Sequence, residues 1–172
     1  MGKPIEETVF WGIFAKTQKG VMVACYVAAL SFIIINVILR LFFKINFLGY
    51  DELIVVAVLW LYFIGGSYAT MTKNHVSADV FSLLVKKPKT KSVHSMIVSL
   101  VDMFLLGFLV YLCIPYITWN INAMQVSPGL KIPLLVSQSA VAVGFTFSFF
   151  YAICHFIRDW QGMMKTLKGR GA

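Results

Sequence analysis

The chain has 172 residues, of which 59% are hydrophobic and 13% charged, with a formal net charge of +8. Soluble domains run nearer roughly 45–50% apolar and about 25% charged, and a folded body this small has too much surface per unit volume to hide the excess from water. The composition excludes a water-soluble domain and implies an all-α integral membrane protein, a single membrane domain over 1–172, whose surplus faces lipid or other membrane helices.

The first predicted element covers about 5–19. Ile5, Val9, Phe10, Ile13 and Phe14 fall on one helical face, with Glu6, Glu7 and Lys16 off it and Trp11 free for the headgroup region. That pattern predicts a short amphipathic helix lying on the membrane surface. A first span follows at about 21–39, uncharged and closed by Arg40. Its apolar run exceeds the roughly 7–15 residues of a signal-peptide core, and no A-x-A-like cleavage site follows, so it is expected to be retained.

The loop from Arg40 to Glu52 is rich in Phe and delivers Asp51 and Glu52 to the start of a second span at about 53–71. Acids there suit the positive end of the helix dipole, and Arg40 and Glu52 are expected to pair and orient spans one and two. Lys73 closes span two. Between about 75 and 85, Val76, Val80, Leu83 and Leu84 predict a second surface helix, followed by Lys86-Lys87-Pro88-Lys89 for contact with anionic headgroups. His75 and Asp79 share its face at i,i+4 spacing, a local hydrogen-bonded pair.

Span three runs over about 96–116 and contains Asp102; span four covers about 132–157 and stops at Arg158-Asp159. The turn signal Pro128-Gly129 lies between them. Twelve of the 15 Lys and Arg precede span one, separate spans two and three, or follow span four, whereas Arg40, Lys44 and Lys131 occupy the two opposite loops. By the positive-inside rule, both termini are cytoplasmic. Orientation and membrane lipids account for most of the charge, with no nucleic acid as partner.

Little chemistry is encoded. Asp102 is the one ionisable residue well inside a span, and it reads either as an ion site or as a buried polar contact between helices. Cys25, Cys113 and Cys154 are scattered through apolar segments, a pattern of packing residues rather than a disulfide or metal cluster. No phosphate-binding loop, nucleophile elbow, zinc motif or paired carboxylate is present, so no catalytic residue, metal or cofactor is expected. Packing signals are stronger. Gly65 and Ala69 lie one turn apart in span two, and Ala140, Gly144, Ser148 and Ala152 form a row of small residues along span four. Such a row lets a helix approach closely, whether from these four helices or from a separate subunit.

Arg40, the aromatic loop to Asp51-Glu52, then Trp60, Gly65, Lys73, His75 and Asp79 follow one another in order. They are joined by the turn Pro128-Gly129-Leu130-Lys131-Ile132-Pro133. Set on four spans, this arrangement resembles the DctQ-like small membrane subunit of tripartite ATP-independent periplasmic (TRAP) transporters. Two departures are Leu53-Ile54 after the acids, where a basic or aromatic residue is common, and Lys73 in place of a common arginine. The resemblance implies a non-enzymatic scaffold subunit of a bacterial inner membrane. Its partners would be a large membrane subunit and a periplasmic substrate-binding protein, in sodium-coupled import of a C4-dicarboxylate or sialic acid. The alternative is a stand-alone four-helix ion or solute carrier with Asp102 as its ion site.

Overall fold

The computed structural model describes residues 9–44, 49–72 and 88–168. These form four helices, α1 (Val9–Phe42), α2 (Tyr50–Met71), α3 (Pro88–Ala123) and α4 (Leu134–Lys168). Each has a stretch long and apolar enough to cross a membrane. In hydrocarbon, a helix satisfies its own backbone polar groups, which is why the apolar runs take this form. Among the described residues, strand pairing is limited to one antiparallel bridge, Val126 with Pro133.

Three helices extend well past the expected spans. The 34 residues of α1 rise about 51 Å at about 1.5 Å each, against a hydrocarbon core of about 30 Å. The described part of the first expected surface helix, 9–19, continues into span one without a break. Its inward face matches the expected one at Phe14 but not at Ile13. Ile13 is 58% exposed, whereas Trp11 is buried in a cluster with Met71 and Tyr151, with Phe14 and Ala15 packed against it. Trp11 therefore serves as core, not as a headgroup anchor, because α1 begins early enough to lay it against Met71 and Tyr151. The second expected surface helix, 75–85, lies outside the described residues.

The helices pack in the order α1, α2, α4, α3, so α2 and α3, consecutive in the chain, are separated by α4. The central position shows in burial: 33% of the most apolar stretch of α4 lies inside the chain, against 6% for α1 and for α3. Local signals set the ends. Gly49, at φ 114°, precedes α2 in a left-handed conformation that disfavours a side chain, and a Cβ there would lie 2.7 Å from Leu130 Cγ. Asp51 and Glu52 occupy the first turn of α2, and Arg40 the last turn of α1. Pro115 lies inside α3 without ending it.

Candidate functional site

The Glu52 carboxylate at the start of α2 accepts three hydrogen bonds. Ser127 Oγ donates to Oε2 at 2.6 Å, the Leu130 N–H to the same oxygen at 2.8 Å, and the Gly129 N–H to Oε1 at 2.7 Å. The Ser127 hydroxyl in turn accepts the Ile132 N–H at 3.1 Å. Backbone bonds from Ser127 N to Ile132 O and from Leu134 N to Gln125 O close the turn. Space is as tight as the bonding: a Cβ on Gly129 would sit 3.0 Å from Glu52 Oε1 and 3.2 Å from Gly49 Cα. Glu52 thus fastens the α3–α4 turn onto the first turn of α2. Arg40 is exposed, and the expected Arg40–Glu52 pair does not form; three neutral donors take the carboxylate instead. Sequence reading missed Ser127, since nothing local marks a serine 75 positions away as the partner of an acid.

Trp60 bonds across the α2–α4 seam, its Nε1–H donating to the Val136 carbonyl at 3.0 Å. Deeper in, the span-four row turns towards its own chain. Ala140, Gly144, Ser148 and Ala152 are all buried, and a Cβ on Gly144 would lie 2.6 Å from Phe63 Cβ. Gly65 faces α1, with Met22 Cε 3.6 Å from a built Cβ, while Gly66 faces open space. Ala69 is half-buried one turn further along α2.

Towards the end of the bundle that holds the start of α1, polar contacts tie all four helices. Gln18 Nε2 donates to Ser67 Oγ at 3.1 Å, both residues being buried. His155 Nε2 donates to the Thr70 carbonyl at 3.0 Å. Asp159 Oδ2 accepts from Ser95 Oγ at 2.9 Å and Ser99 Oγ at 2.6 Å, with Arg158 Nε 4.0 Å from the other oxygen. Trp11 meets Tyr151 edge-on at 5.2 Å, and Phe14 meets Phe147 at 5.7 Å. Lys19 Nζ lies 5.4 Å from the Tyr68 ring centroid, an attractive position for a cation. Asp102, expected to be a buried polar group, is partly exposed on α3. His75 and Asp79 lie outside the described residues.

Among the described residues, no three of His, Cys, Asp and Glu come together as metal ligands, and the three cysteines are free thiols. The polar groups found here fasten helices and one loop. The fold and these contacts define a multi-pass helical membrane protein whose outer helices leave wide apolar faces uncovered. The family model for the DctQ component of tripartite ATP-independent periplasmic transporters matches residues 29–162. The chain belongs to that family and is a small membrane subunit of a TRAP transporter, a membership that disfavours a stand-alone carrier. No curated protein matches the chain.

Proposed function

We propose that this subunit is a scaffold: it holds the large transport subunit in place within the bacterial inner membrane and offers a docking surface to the periplasmic binding protein. The transported solute is an organic acid of the C4-dicarboxylate or sialic acid type, imported with sodium. The distribution of basic residues supports cytoplasmic termini, which leaves the Glu52-fastened turn on the periplasmic side.

The observation that carries this reading is the placement of uncovered apolar surface. α1 and α3, at the two edges of the helix row, each bury 6% of their most apolar stretch, while Gln18 and His155 inside the row bond from one helix to the next. Surfaces of that kind suit lateral contact with lipid and with other membrane helices. The test is affinity purification of the tagged chain from membranes expressing the whole transporter. The large subunit should co-purify stoichiometrically, and vesicles should take up the organic acid only when both membrane subunits and the binding protein are present. Recovery of the chain alone, or uptake that persists without it, refutes the scaffold role.

A further inference from the structure

Tyr151 of α4 is fully buried, and among the described residues its hydroxyl has no hydrogen-bond partner. The Gln18 carbonyl oxygen on α1 is buried and unpartnered in the same way. The Gln18 side chain lies within reach of that hydroxyl, while its Nε2–H donates to Ser67 Oγ of α2 at 3.1 Å. An amide oxygen can only accept and a phenol can donate. Leaving both unpaired in a sealed site is costly, and one hydrogen bond between them satisfies both.

Helices in lipid gain nothing by hiding apolar surface from one another, so close packing and polar contacts decide how each is turned. α1 has few such restraints. Among the described residues, no Cα of α1 comes within 8 Å of one in α4, and the buried residues of α1 are Trp11, Gln18 and Ala29. Two of those three lie against Tyr151: the Trp11 ring meets it edge-on at 5.2 Å, and Gln18 follows Trp11 by two turns on the same face. We propose that Tyr151 donates its hydroxyl to Gln18 Oε1, and that the chain Tyr151–Gln18–Ser67 fixes the rotation of α1 against α2 and α4. Tyr151 is thus a positioning residue for α1. It turns Val23, Val27 and Ile34, all more than half exposed, towards the membrane, and so selects the side of α1 that neighbours meet. This goes beyond the scaffold reading and does not depend on it.

The experiment uses the full chain in lipid nanodiscs. Tyr151→Phe deletes the hydroxyl and keeps the ring on Trp11. The melting temperature is expected to fall by about 2–4 °C, and the same change made on top of Gln18→Met is expected to have little effect. A melting temperature that stays level or rises with Tyr151→Phe overturns the bond, because removing an unbonded buried hydroxyl relieves a cost. Rotation is read separately, with Cys25, Cys113 and Cys154 replaced by Ala. A short bifunctional thiol reagent should join Met22→Cys to Gly65→Cys, since Met22 Cε lies 3.6 Å from a Cβ at Gly65, in preference to Val23→Cys with Gly65→Cys. Tyr151→Phe should lower that preference several-fold, Gln18→Met should do the same, and the two together should add nothing further. Tyr62→Phe, at a residue 72% exposed on α2, should leave it unchanged. A preference that survives Tyr151→Phe overturns the positioning role.

Discussion

Gly144 of α4 rests directly on Phe63 of α2: a Cβ at Gly144 would lie 2.6 Å from Phe63 Cβ, 2.8 Å from its carbonyl oxygen and 3.0 Å from its carbonyl carbon. Two of those three atoms are backbone, so the obstacle cannot rotate away as a flexible side chain could. The contact sets how closely the two central helices approach, and Ala140, Ser148 and Ala152 continue it along α4.

Gly144→Leu is therefore expected to force α2 and α4 apart and to lower stability by about 1–3 kcal/mol or more, the usual scale of overpacking. Thermal unfolding of the detergent-purified chain measures it. Gly66→Leu is the control, because nothing lies within 4 Å of a Cβ there. Equal melting temperatures for the two variants would refute the close approach.

Trp11→Ala removes an indole that is 7% exposed and packed edge-on against Tyr151. Truncating a buried aromatic costs about 3–5 kcal/mol. Ile13→Ala, two positions away but 58% exposed, should leave the midpoint nearly unchanged. The reverse result would mean that the start of α1 lies on lipid with the opposite face inward.

Glu52→Gln removes the charge that three donors share and keeps a single acceptor oxygen. The helices should stay packed while the turn loosens. Hydrogen exchange at the amides of Gly129 and Leu130, both bonded to Glu52, should then speed up several-fold, with α2 protection retained. Unchanged exchange would show that the backbone bonds of the turn suffice without the carboxylate.

A double-mutant cycle on Gln18→Ala and Ser67→Ala should show favourable coupling of about 0.6 kcal/mol, up to about 1.7, the range found between polar side chains of membrane helices. The single bond of 3.1 Å between two buried residues motivates it. Strict additivity would mean that the bond contributes nothing to joining α1 and α2.

Much was legible in the chain alone, for a physical reason. A bilayer demands about 20 consecutive apolar residues per helix and satisfied backbone bonds throughout. The number and approximate place of the four spans therefore follow from hydropathy, and the ordered residues from Arg40 to Asp79 were enough to point to the family. Tertiary structure alone decided which faces meet. The row from Ala140 to Ala152 marks a close approach in any register, but only packing shows that Phe63 is the neighbour. Trp11 reads from the sequence as a headgroup anchor, and only its packing against Met71 and Tyr151 makes it core. Glu52 meets Ser127 rather than Arg40 because α4 lies between α2 and α3 and brings the α3–α4 turn to the first turn of α2. Contacts at such sequence separation depend on the order of helices, which periodicity does not encode. Composition and hydropathy thus determined a four-span membrane protein; the helix order determined which polar side chains meet across helices.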